Sequence, residues 1–167
     1  MDDSNKKPLV TVGIPFYNSE KYLSAIVSFI MTSIAQGKEV IVVSSGSIAA
    51  ARYSIKTGHR ATIAEKQAMA AIGQTKMMAN WITLIEKHVA TNSNLYKKPI
   101  ECAQILVTVE DLADRKRFVN VKNTLEQLLI NHAIPIVNEN DTVAVEEIKV
   151  GDNDNLAAHT AIAAQAD

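Results

Sequence analysis

With 167 residues, 47% of them apolar and 21% charged, the chain has the length of one domain and enough nonpolar side chain to bury a core. A net charge of −1, from 17 basic and 18 acidic residues, excludes the electrostatic footprint of a general nucleic-acid binder and offers an anionic membrane nothing to attract. Intrinsic disorder is excluded by the same balance, and the single cysteine, Cys102, allows no intramolecular disulfide and suits a reducing compartment.

The opening Met1–Pro8 is polar and lacks the apolar core of a signal peptide. Leu9–Ile14 predicts a strand and Pro15–Asn18 a turn. Leu23, Ile26, Val27, Ile30 and Ile34 recur at helical spacing, with Gly37 placed as a C-terminal cap. The apolar stretch Leu23–Ala35 is broken by Ser24, Ser28, Thr32 and Ser33 and falls short of the ~20 residues a membrane span needs. The expectation is therefore a cytoplasmic chain with no membrane partner, in which the sequon Asn140-Asp141-Thr142 has no glycosylating machinery to meet.

Glu39–Ser44 (EVIVVS) predicts a strand covered on both faces. Ser45-Gly46-Ser47 follows as a turn into an alanine-rich helix. Thr62 and Glu65 form a capping box that opens a long helix to about His88, weakened at Gly73 by roughly 1 kcal/mol. Met69, Met77, Met78 and Trp81 on this helix are expected in or near the core. Thr91–Glu101 predicts an exposed loop, Cys102–Val109 a strand, Asn120–Asn131 a helix and Ile134–Asn138 a further strand. Asp152 or Asn153 is placed to cap a last helix that runs through Ala164. Strands alternating with helices imply parallel pairing and an α/β class. Ligands of such sheets collect beyond the carboxyl ends of the strands, so the polar residues after Val43 and after Val137 mark the place to look.

Two clusters there bear on chemistry. Ser44-Ser45-Gly46-Ser47-Ile48 joins a strand to a helix, and its hydroxyls and backbone N–H groups suit a carboxylate or phosphate; a serine that merely caps the helix fits the same spacing. The polar run Asn138–Asn155 carries Asn138-Glu139-Asn140-Asp141 and Gly151-Asp152-Asn153-Asp154-Asn155, side chains able to hold the ammonium and carboxylate of an amino acid. A turn plus a capped helix explains that run equally well, whereas the calcium-loop pattern fails at its glycine and its closing glutamate. Neither a P-loop, nor a dinucleotide fingerprint, nor a nucleophile elbow occurs. His59, His88, His132 and His159 are too scattered for a zinc site. Arg115-Lys116-Arg117 reads as a solvated helix face, and Cys102 as inert packing.

From about Ile34 to Asp167 the motifs QGKEVIVVSSGSIAAAR (36–52), ATIAEKQAMAAIGQ (61–74), QILVTVEDLADRKRFVNVKNTLEQLL (104–129) and IPIVNENDTVAVEEIKVGDNDNLAA (134–158) follow one another in a single family's order. On them the chain closely resembles the glutamate 5-kinases of the amino acid kinase superfamily. The resemblance implies a three-layer α/β/α sandwich with a mainly parallel sheet, of which residues 1–167 form the N-terminal, substrate-binding part as one partial domain. It also implies transfer of the γ-phosphoryl group of ATP, with Mg2+, to the side-chain carboxylate of L-glutamate, the first step of proline synthesis. Carried onto this sequence, it assigns Ser45 and Gly46 to glutamate, Asp141 to the substrate's ammonium group, Asn153 to glutamate and Asp154 to the organisation of the catalytic lysines. The family's oligomers imply a homo-oligomer.

Two departures qualify that implication. Where the family's first strand ends in K-[IVL]-G-[ST], this chain has Thr11 in Val10-Thr11-Val12-Gly13-Ile14, and a threonine brings no positive charge to a phosphoryl group. Residues 8–23, PLVTVGIPFYNSEKYL, resemble instead the start of a family 2 glycosyltransferase, which makes residues 1–33 an atypical segment. The chain also ends at Asp167, where the family continues into its nucleotide-binding half. The expectation is negligible phosphoryl transfer by this polypeptide alone, with glutamate binding or an interaction role as the alternative function and a glycosyltransferase-related fragment as the lesser one.

Overall fold

The computed structural model describes residues 9–14, 20–55, 60–96, 98–143 and 152–166. In chain order these form β1 (Leu9–Ile14), α1 (Glu20–Ala35), β2 (Glu39–Ser44), α2 (Ser47–Ala50), α3 (Ile63–Thr91), β3 (Glu101–Val107), α4 (Val109–Ala113), α5 (Arg115–Ile130), β4 (Ala133–Glu139) and α6 (Asp152–Ala164). The turn expected at Pro15–Asn18 lies outside the described residues.

The four strands pair in parallel in the order β1-β2-β4-β3, so β2 and β4 are central. Alternation along β2 divides the core. Val40 and Val42 join Ile134 and Ile136 under α1 and α3, where Ile30, Met31, Met77, Trp81 and Ile85 are fully enclosed. Ile41 and Val43 face the other way, onto Leu112, Leu125 and Leu156 of α4, α5 and α6. Helices thus cover both faces of the sheet, as the unbroken apolar run of β2 requires. Among the described residues no helix is long and apolar enough to cross a membrane.

Local chemistry sets most boundaries. Gly37 takes φ +84° after α1, and the bonds from Gly37 N–H to Ile34 C=O and from Lys38 N–H to Ser33 C=O close a Schellman motif. The Thr62–Glu65 capping box is formed in both directions at the start of α3. At three places the structure departs from the sequence expectation. β3 stops at Val107, because Thr108 and Asp111 make a second capping box and Val109 opens α4. α5 starts at Arg115 rather than Asn120, because the Asp114 carboxylate accepts from the N–H groups of Lys116 and Arg117. The basic cluster therefore lies in a first turn, where the helix dipole disfavours it; Asp114 offsets this, as does Asp111, whose carboxylate lies 2.8 Å from Arg117. The hydrogen bond from the Thr108 N–H, followed by that from the Thr108 hydroxyl and by Arg117, holds the Asp111 carboxyl below its usual range.

The third departure concerns α2, which has only four residues and no side-chain cap. Its N-cap is Gly46 itself, at φ +97°, a left-handed conformation that favours glycine. Gly73 explains the position of α2. A Cβ built on Gly73 would stand 1.6 Å from the Ser47 carbonyl oxygen, so only glycine lets the start of α2 rest on α3. The residue that weakens the helix locally is what allows two elements to meet.

Gly73→Ala is therefore expected to destabilise the fold by about 2 kcal/mol or more, although alanine favours an isolated helix by ~1 kcal/mol. Urea unfolding checks this, and an unchanged midpoint would show that the contact yields freely.

Candidate functional site

Val42 and Val43 pair with Ile136 and Val137, which brings the carboxyl ends of β2 and β4 to one edge of the sheet. The next residues along each strand, Ser44 and Asn138, are both fully buried. Burying a hydroxyl or an amide requires a partner, and α3 supplies both. The Ser44 hydroxyl donates to the Met77 sulfur at 3.3 Å, and the Asn138 Nδ2 donates to the Gln74 Oε1 at 2.8 Å. Gln74 follows Gly73 directly, so the close approach that seats α2 also fixes the amide that receives β4.

Beyond the strands the two connections are joined. The Ser47 hydroxyl, buried at the start of α2, donates to the Asp141 Oδ2 at 2.8 Å. Asp141 lies in the turn after β4, and that turn is anchored to β3 by the bond from Asn140 N–H to Val107 C=O. Ser45 and Gly46 occupy the half-buried link between β2 and α2. A cleft of about 10 Å³, room for roughly one water molecule, lies between Ser47, Gln74 and the Glu139–Thr142 turn, with no lysine or arginine among the described residues of its lining. The Gln74 Nε2, buried beside it, has no hydrogen-bond partner among the described residues. A larger cavity lies elsewhere, at the opposite end of the strands.

Of the residues singled out in the sequence, Asp141 and the Ser45-Gly46 link are thus brought together through Ser47. Asp154 is exposed in the first turn of α6 and makes no hydrogen bond or ion pair among the described residues. Asn153 belongs to the same turn, but its side chain is outside the described set, as are Gly151 and the side chain of Thr11. The backbone of Thr11 pairs with Ile41 in β1. The reading that a serine caps the helix after β2 does not hold, since the cap is Gly46. Ser47, Gln74 and Asn138 are the site's structural members that residue-by-residue assignment passed over. The turn SSGS and the positions just after Val43 and Val137 contained two of them, while Gln74 sits within a helix where periodicity carries no such signal.

Other chemistry finds little support. No group of three or more His, Cys, Asp or Glu is gathered for a metal ion among the described residues. Burial pushes the Cys102 thiol up to about 11, helped by Glu101 and Glu86, which agrees with inert packing.

A polar, amide- and hydroxyl-rich cluster at adjacent strand ends stands where parallel α/β domains as a class collect their ligands. Comparison with known proteins narrows it: the model of the amino acid kinase family matches residues 6–167, and the chain belongs to that family. The match takes in residues 8–23, and β1 pairs with β2 over its whole length, so the first strand of the glycosyltransferase-like stretch belongs to the same sheet. Among curated relatives the chain is 48% identical to glutamate 5-kinase of Salinibacter ruber over 152 residues, 89% of this chain and 37% of that protein. It is 46% identical to glutamate 5-kinase of Dictyoglomus turgidum over 159 residues, 95% of this chain and 40% of that one. Glutamate 5-kinase of Idiomarina loihiensis is 45% identical over 150 residues. The chain thus spans about two fifths of the length of these relatives.

Asn138→Ala leaves the buried Gln74 amide with neither of its polar atoms partnered, which costs about 1–3 kcal/mol. Chemical denaturation is expected to register that loss, and a change below ~0.5 kcal/mol would mean that water replaces Asn138 without penalty.

Proposed function

We propose that this chain is the glutamate-binding part of a glutamate 5-kinase, residues 1–167 forming one partial amino acid kinase domain of three-layer α/β/α architecture. In that role the substrate's side-chain carboxylate accepts a phosphoryl group from ATP, assisted by Mg2+, to give L-glutamyl 5-phosphate. The single observation that carries the reading is the Ser47–Asp141 bond between the two strand-end connections, set in a chain nearly half identical to proteins named for that activity. L-Glutamate would lie over this junction rather than inside the narrow cleft. Asp141, held by Ser47, receives the ammonium group; backbone N–H groups at Ser45 and Gly46, opened by the left-handed turn, receive a carboxylate; Asn153 contributes an amide and Asp154 organises the cationic groups of the reaction. A biosynthetic role in proline formation and a cytoplasmic location follow from the same likeness.

Phosphoryl transfer depends on positive charge around the phosphates. The described lining of the cleft offers none, and Thr11 stands where the family's motif has lysine. The residues at hand therefore fit the acceptor amino acid and not the nucleotide, which favours a second reading for the isolated polypeptide: glutamate binding without turnover.

Two assays of the purified chain separate these readings. Calorimetric titration with L-glutamate is expected to show binding that Asp141→Asn weakens by about tenfold or more, since an ammonium loses its charge partner. Incubation with L-glutamate, ATP, Mg2+ and hydroxylamine is expected to yield no hydroxamate while an intact relative does. Absence of glutamate binding would overturn the assignment, and hydroxamate that requires all three reactants would overturn the argument from Thr11.

We further propose that the chain self-associates. β1 and β3 are the edges of the described sheet, and open parallel edges invite pairing. Sedimentation is expected to give a dimer or larger species, and a monodisperse monomer would refute this.

A further inference from the structure

The ladder between the two central strands is short. β1 and β2 are paired over six residues and β3 and β4 over seven, yet β2 and β4 are paired only at Val42–Ile136 and Val43–Val137. One step toward the amino ends, Ile41 comes level with Pro135, which has no N–H to contribute. Where the pairing lapses, a half-enclosed cavity of about 320 Å³ opens, within the size range of small-molecule sites. It lies between the start of β2, the start of β4 and the loop that leads into β3. Roughly 17 Å of strand separates it from the Ser47–Asp141 junction.

Its lining is apolar except for a few groups. Ile34, Val40, Leu95, Ile100 and Ile134 form the body; Lys38, Glu39, Tyr96, Lys98 and His132 supply the polar atoms. Lys98 Nζ stands 2.9 Å from His132 Nε2, so the ammonium donates and the imidazole accepts. His132 holds this position at φ +60°, in the left-handed cap after α5, where glycine or asparagine is the unstrained choice. The Tyr96 hydroxyl is buried and has no partner among the described residues, while its ring packs edge-on against His88. Two lysines face one carboxylate, and no ion pair neutralises either lysine among the described residues.

We propose that this cavity is a binding site for a small monocarboxylate with an apolar body, distinct from the strand-end site. The carboxylate sits beside the Lys98–His132 pair, accepts from the Lys98 ammonium that His132 holds in place, and takes the Tyr96 hydroxyl as a further donor. The apolar body fills the space that the unpaired strand ends leave between Val40 and Ile134. Charge selects the anion and the depth of the cavity selects its tail. The site stands independently of the glutamate assignment, because none of its residues belongs to that junction.

The test titrates octanoate into the 167-residue chain, followed by calorimetry and by amide chemical shifts. One-site saturable binding is expected, with shifts confined to Lys38, Leu95–Ile100 and His132–Ile134. Lys98→Gln and His132→Gly are each expected to weaken it by about tenfold or more, and 1-octanol, with the same tail and no charge, by a similar factor. His132→Gly serves as the control for folding, because glycine suits the left-handed cap and the melting temperature should not fall. The proposal is overturned by equal binding of 1-octanol, by unchanged affinity in both variants, or by absence of saturable binding. Shifts at these residues that follow protein concentration without octanoate would also overturn it, since a second copy of the chain would then be the occupant.

Discussion

The contact between the Gly73 backbone and the Ser47 carbonyl oxygen is the constraint from which the carboxyl end of the sheet takes its form. It requires a residue without a side chain in the middle of a 29-residue helix, and it sets the distance at which α2 can begin. Ser47 then meets Asp141 across the line between β2 and β4, and Gln74 of α3 meets Asn138 of β4. Neither bond exists unless the helix and the turn approach this closely. The polar cluster is therefore a property of helix packing as much as of the strand-end loops that carry its residues.

Most of the fold was legible because its signals are local. The run EVIVVS, the Thr62–Glu65 box and the glycine after α1 each act within a few residues, and each was formed as read. Local signals were also where reading failed. The box at Thr108 uses Asp111 in place of glutamate, so the apolar pattern of the strand runs on past it to Val109, and the Asp114 cap starts α5 ahead of the apolar positions that mark the helix. The membership of the strand-end cluster was legible only in part. Positions after Val43 and Val137 follow from the architecture of parallel sheets, but Ser47 and Asp141 are 94 residues apart and Asn138 and Gln74 are 64 apart. No periodicity reports a pairing at that separation. Gly73 was visible as a helix defect, and its purpose depended on a neighbour that the sequence does not name.

The two ends of the sheet differ for a physical reason. At the carboxyl end, backbone pairing and side-chain hydrogen bonds draw β2 and β4 together and leave a cleft for about one water molecule. At the amino end, Pro135 interrupts the pairing, and apolar side chains line the gap without closing it. A buried cluster of amides and hydroxyls is satisfied only at close range, whereas apolar walls with a few polar groups at their rim tolerate space. Polarity and volume are thus sorted to opposite ends of the same pair of strands.

The two-residue ladder has a mechanical consequence. β1 with β2 and β3 with β4 are each zipped along their length, so the sheet consists of two paired halves joined by a short backbone seam and by the cores they share. Among the described residues, the Ser47–Asp141 bond clasps that seam at its carboxyl end. Thermal breathing of the domain would begin at the amino end, with the halves pivoting about the Val42–Ile136 and Val43–Val137 pairs. Backbone amides near Ile41 and Pro135 are then the first central ones to meet solvent, while those near Ser44 and Asn138 stay sheltered until the whole sheet parts.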